Sequence, residues 1–159
     1  MKSFAISCLF ASVAFAAKSK FPRDDAFHAD CHVNAQFDGA TCDDLFAKVD
    51  AEIKAWGSES TSPAGGEYSL KEETAVDYIW STRLTLNKKY TDDQLFEFTE
   101  NNQGCAVMGR SRSQSMSVLD NSVNFCNLWN VYNGIGGFTY SVGNCAAAAS
   151  DPVTTCARY

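Results

Sequence analysis

The sequence predicts an α+β domain in which one N-terminal amphipathic helix packs on a curved antiparallel sheet of four to five strands, reinforced by disulfides. Three observations predict it. Apolar residues recur at helical spacing from Cys42 to Trp56, they recur at period two from Glu67 onward, and six cysteines follow the first sixteen residues.

The chain opens on Met1-Lys2-Ser3, runs apolar from Phe4 to Phe15 with Ser7 and Ser12 as interruptions, and reaches Ala14-Phe15-Ala16 before Lys18. A basic start, a short apolar segment and a small-x-small site together describe a secretory signal peptide over residues 1–16. The stretch is well short of the about 20 apolar residues that span a bilayer. The expected location is therefore extracellular. Residues 17–30, polar and mixed in charge with Pro22 and Asp24-Asp25, read as a flexible leader, and residues 31–159 as a single domain.

Export explains the cysteines. Cys31, Cys42, Cys105, Cys126, Cys145 and Cys156 form an even set with no C-x-x-C pair, which in an oxidising compartment reads as a disulfide framework and not as a zinc or redox site. Six cysteines allow 15 pairings. The expected set joins neighbours: Cys31 to Cys42, Cys105 to Cys126 and Cys145 to Cys156.

In the helix, Leu45, Phe46, Val49, Ile53 and Trp56 form one stripe, Thr41 precedes it as N-cap, Asp43 and Asp44 load the first turn, and Gly57 ends it. Ser58 to Gly66 is a loop. Strands then follow at Tyr68 to Leu70, at Val76 to Leu86, at Leu95 to Thr99, at Cys105 to Met116 and at Val123 to Tyr132, joined by turn-like segments that suit an antiparallel meander. The tail from Gly134 to Tyr159 reads as loop.

A helix followed by a meander resembles the cystatin arrangement, and the same two-layer build resembles the NTF2 architecture. Cystatins inhibit cysteine proteases through a Q-x-V-x-G hairpin loop. The nearest stretch here, Gln103-Gly104-Cys105-Ala106-Val107-Met108-Gly109, has those residue types at a different spacing.

Composition narrows the functions. A formal charge of −6 opposes binding to nucleic acid or to anionic membranes, so neither is an expected partner. His28 and His32 are the whole histidine complement; with Asp30 they offer alternating donors but no separated further ligand, so neither a metal nor another cofactor is expected. Of the paired carboxylates, Asp92-Asp93 is the one placed to supply a general base in a sheet-lined cavity. Arg110 and Arg112 share one face of a strand and, with Arg83, would make a basic patch suited to an anion. Asn124, Asn127 and Trp129 lie in a strand whose asparagines are costly unless satisfied, which marks a place where stability yields to function. Asn124-Phe125-Cys126 is only the rare cysteine form of the glycosylation signal, so no glycan is expected.

These residues point first to a secreted binding or interaction module, its ligand a small molecule, glycan or protein held by Arg83, Arg110, Arg112, Asn124, Asn127 and Trp129. Catalysis is not the first expectation. The alternatives are an NTF2-like enzyme using Asp92 or Asp93 as base and a cystatin-like protease inhibitor.

Overall fold

The computed structural model describes residues 20–117 and 119–159; the expected signal peptide lies outside them. The elements run β1 (Asp30–Asp38), α1 (Cys42–Ala55), a short 3-10 turn (Pro63–Gly65), β2 (Glu67–Thr74), β3 (Tyr78–Leu84), β4 (Thr91–Asn101), β5 (Gly104–Ser113), α2 (Val123–Ile135), β6 (Thr139–Cys145) and α3 (Pro152–Cys156). The six strands form one antiparallel sheet in the order β2-β3-β4-β5-β1-β6. Among the described residues no helix is long and apolar enough to cross a membrane.

Helix α1 forms as its pattern predicts. Thr41 Oγ1 accepts the Asp44 N–H at 3.2 Å, Asp43 and Asp44 sit in the first turn, and Leu45, Val49 and Ile53 are buried. That stripe joins Val33 and Phe37 of β1, Ile79, Phe96, Val107 and the apolar side of α2 in the main core.

The mixed α+β class and the antiparallel meander from β2 to β5 agree with the sequence reading, whereas the numbers of helices and strands differ. The segment 123–132, expected as a strand, is the body of α2. Phe125, Leu128, Trp129 and Tyr132 recur at helical spacing, and every residue from Asn124 to Tyr132 is buried. A helix covered on all sides carries a near-continuous apolar run, which mimics a buried strand. Two strands were not anticipated. β1 enters the sheet beside β5, and β6, expected as loop, adds to the outer edge of β1.

The cysteine framework differs in every pairing. The bridges are Cys31–Cys145, Cys42–Cys105 and Cys126–Cys156, with sequence separations of 114, 63 and 30. None closes a short local loop, the smallest separation being 30. Cys31 and Cys145 face each other across β1 and β6, Cys42 ties the start of α1 to β5, and Cys126 ties α2 to α3.

The described part of the expected leader, residues 20–29, is also ordered. It crosses the sheet face opposite the helices, where Phe21 is buried against Trp80, their ring centroids 5.4 Å apart, beside Tyr78 and Leu95. Asp25 accepts from Arg112 at 2.6 Å, and Ala29 exchanges backbone hydrogen bonds with Ser113 and Ser117. The apolar outer positions of β3 and β4 need cover, and this strap supplies it. The stretch Gln103 to Gly109 is not a free loop either. It is a hairpin turn and the start of β5, paired on both sides, with Cys105 and Val107 buried.

Candidate functional site

The polar residues inside this fold gather at one end of the layer between sheet and helices. Register explains their company. Arg83 of β3 pairs with Asp92 of β4, which pairs with Ser113 of β5, so these three side chains share the helix-facing side with Ser81, Gln94 and Ser111. Arg110 and Arg112 are one residue out of step and face the strap. The expected patch of three arginines is therefore split by the sheet. Arg110 meets Glu97 at 3.4 Å and lies over the Phe21 ring, while Arg112 meets Asp25.

The floor of the site is a hydrogen-bonded network between β4, β5 and α2. Asn127 Nδ2 donates to Asp92 Oδ2 at 2.8 Å and to Ser111 Oγ at 3.1 Å. Ser111 Oγ donates to Asn124 Oδ1 at 2.7 Å, and Asn124 Nδ2 donates to Asp120 Oδ1 and to the Ala29 carbonyl. Asp120 also accepts the Asn124 backbone N–H at 3.2 Å, so its carboxyl caps the first turn of α2. Asn124 and Asn127 thus serve as links in the network, while Trp129 lies in the main core and takes no part.

Both carboxyls of this floor are pushed towards their protonated forms. Burial raises Asp92 above the ordinary carboxylate range, partly offset by the hydrogen bonds from Asn127 and Ser113 and by the charge of Arg83. Burial also raises Asp120, to about 6, against the hydrogen bonds from Asn124, and the neighbouring Asp92 adds to the rise. Asp93 lies outside this hydrogen-bonded network. It faces the strap side, where it accepts from Trp80 Nε1 at 2.8 Å and from Lys71 at 3.1 Å.

Arg83 is the unusual member. It is 2% exposed, yet neither Nε nor Nη1 has a hydrogen-bond partner; the hydroxyl of Tyr68 and Oδ1 of Asn127 are likewise buried and unpartnered. The guanidinium lies against Gly66, where a Cβ would come within 2.6 Å of its central carbon, and 5.8 Å from the centre of the Tyr68 ring. Burial pushes the Tyr68 hydroxyl up to about 12, with the positive charge of Arg83 opposing the rise.

Two hollows open onto this cluster. The larger, about 470 Å³, includes Arg83, Leu86, Asn121 and Arg158 in its wall; the smaller, about 250 Å³, includes Asp92, Ser113, Leu119 and Asp120. They share Thr85, Tyr90, Asn121 and Val123, so they are two lobes of one cleft. Around it stand Leu86, Tyr90, Met116 and Leu119, exposed by 57%, 50%, 73% and 83%. A charged floor beneath an exposed apolar collar is how sites for small organic molecules are commonly built.

Similarity to known proteins adds little at this point. No family model matches this chain. No curated protein matches it either. Among solved structures, the di-domain ARO/CYC protein StfQ from the steffimycin biosynthetic pathway is 13% identical, with a TM-score of 0.40 over 62% of this chain. Protein CV1439 from Chromobacterium violaceum is 6% identical, with a TM-score of 0.42 over 66% of this chain and 91% of its own. The match spans about two fifths (40%) of the StfQ chain. Resemblance at that level carries no functional statement.

Of the residues singled out from sequence, Arg83, Asp92, Asn124 and Asn127 come together here; Arg110, Arg112, Asp93 and Trp129 do not. Sequence reading missed Asp120, Tyr90, Leu119 and Arg158. For Asp120 a signal exists: Asp120-Asn121-Ser122 falls in the segment between the expected strands ending at Met116 and starting at Val123, and polar residues just ahead of a buried apolar run also mark a helix start. The histidines lie elsewhere. Asp24, Asp30 and His32 place one donor atom each within 4.8 Å of one another, a grouping of metal-ligand type, but His32 already meets Asp24 at 2.9 Å and Asn144 donates to Asp30 at 2.8 Å.

Proposed function

We propose that this is a secreted protein that binds a small organic ligand with a polar end, held in the two-lobed cleft between the β3–β4 hairpin, the start of α2 and the C-terminal tail. Export rests on the leader-like first sixteen residues and suits three long-range disulfides. The observation that carries binding is the cleft itself: the buried guanidinium of Arg83, with Nε and Nη1 unpartnered, in a wall rimmed by four exposed apolar side chains. Exposed apolar collars and unsatisfied buried polar atoms are both unfavourable in a free protein, and one amphipathic ligand relieves both.

A neutral solvatochromic dye tests this reading. Nile red added to the folded, disulfide-intact protein is expected to brighten and shift to the blue. Leu119→Asp and Tyr90→Asp are expected to abolish the signal, whereas Val153→Asp, at the exposed start of α3, leaves it in place. Dye that stays dark, or brightens equally in all three variants, rules the cleft out as a binding site.

One observation favours a second reading, an enzyme using acid–base chemistry. Asp92 and Asp120 both line the smaller lobe, and Asp120 at about 6 lies where a carboxyl exchanges protons near neutral pH. Asp92 is the base in this reading; Asp93 is held on the other face by Lys71 and Trp80. Turnover of a bound ligand, lost in Asp92→Asn with binding retained, is the outcome this reading requires.

A further inference from the structure

We infer that the ligand of this cleft is a small carboxylic acid with an apolar body, its carboxylate paired with Arg83. This rests on the binding reading above and adds the chemical class of what binds.

The free protein leaves a place for one negative charge. Arg83 is almost completely buried, and its Nε and Nη1 lack partners. Its neighbour in register, Asp92, directs Oδ2 to Asn127 instead. Asp92 feels the charge of Arg83, but burial holds its carboxyl towards the neutral form and it leaves Nε and Nη1 unpartnered, so the buried guanidinium is only partly compensated, which is unfavourable. The edge of the guanidinium that Nη1 shares with Nη2 matches a carboxylate through two parallel hydrogen bonds, a fit that a point charge cannot give, while Nε lies on the other edge. Arg158 adds a second positive charge in the wall of the same lobe.

The surroundings restrict the anion further. Asp92 and Asp120 line the adjoining lobe, so a dianion such as phosphate meets their repulsion whenever they ionise. A monocarboxylate carries the least charge that satisfies Arg83. The collar of Leu86, Tyr90, Met116 and Leu119 then has an apolar body to cover, and a lobe of about 470 Å³ accommodates one of modest size.

Displacement of Nile red from the disulfide-intact protein near neutral pH tests the inference with four probes: 4-phenylbutyrate, its neutral amide, 4-phenylbutylamine and inorganic phosphate. The acid is expected to compete at a concentration about tenfold or more below the other three. Arg83→Gln is expected to erase the acid's advantage over the amide, Arg83→Lys to reduce it, and Arg112→Gln, on the opposite sheet face, to preserve it. Should Arg83→Gln fail to fold, the wild-type protein still decides: the acid must shift the Arg83 Nε–H resonance and the amide must not. An amide that competes as well as the acid, a preference for the amine or phosphate, or an acid preference undiminished in Arg83→Gln each overturns the carboxylate while leaving the cleft a binding site. Absence of dye binding removes the binding reading itself, and this inference with it.

Discussion

Gly66 and Arg83 set each other's position. The guanidinium occupies the space a Cβ on residue 66 would need, so Gly66→Ala is expected to push Arg83 towards the cleft and to destabilise the fold by about 2 kcal/mol, the usual scale of overpacking. Denaturant unfolding measures that loss; an unchanged midpoint would place the guanidinium elsewhere. Asp120 gives a pH signature. Its carboxyl is near 3.8 when unfolded and about 6 when folded, so the native state holds the proton more tightly. The stabilisation is complete below the lower value and is lost as pH rises through the higher one. Asp120→Asn keeps an oxygen for the Asn124 N–H and never ionises. Its melting temperature relative to wild type is therefore expected to climb from about pH 4 to about pH 7, and calorimetry showing a constant difference would contradict a protonated Asp120. At this scale the sequence showed residue types but not faces. Asp92 and Arg83 were identifiable as candidates, whereas their separation from Asp93, Arg110 and Arg112 depends on a register that shifts every side chain to the other face with one residue's slip.

Among the elements, α1 and the four strands from β2 to β5 were legible because each buries one stripe or follows a turn signal. Helix α2 was not. Its asparagines at 124, 127 and 130 recur every three residues, which is a helical interval, but the apolar residues between them fit period two almost as well. The strap is illegible for a different reason: Phe21 stands between Lys20 and the charges from Arg23 to Asp25, and only the outer face of Trp80 and Leu95 in the folded sheet shows what it covers. Phe21→Ala is expected to cost about 3 kcal/mol and to let solvent reach Trp80. Red-shifted tryptophan emission together with a lowered unfolding midpoint checks this, and unchanged emission would mean that the strap does not seal that face.

For the molecule as a whole, the bridges hold distant parts together. Peptide mapping without reduction is expected to recover Cys31–Cys145, Cys42–Cys105 and Cys126–Cys156, and not Cys31–Cys42, Cys105–Cys126 or Cys145–Cys156. Replacing Cys42 and Cys105 together with alanine opens a loop spanning 63 positions and is expected to cost about 4 kcal/mol in the loop-entropy account. A much smaller loss in chemical denaturation would assign the stability to the core instead. Sequence by itself determined the class of fold, one amphipathic helix, the central meander and the oxidised use of six cysteines, because hydrophobic period, turn chemistry and cysteine parity are local or countable. Tertiary structure alone decided which cysteines meet, that β1 completes the sheet beside β5, and that Arg83, Asp92 and Asp120 share one cleft. Those facts depend on which strands pair and in what register, and pairing energies arise between residues far apart along the chain.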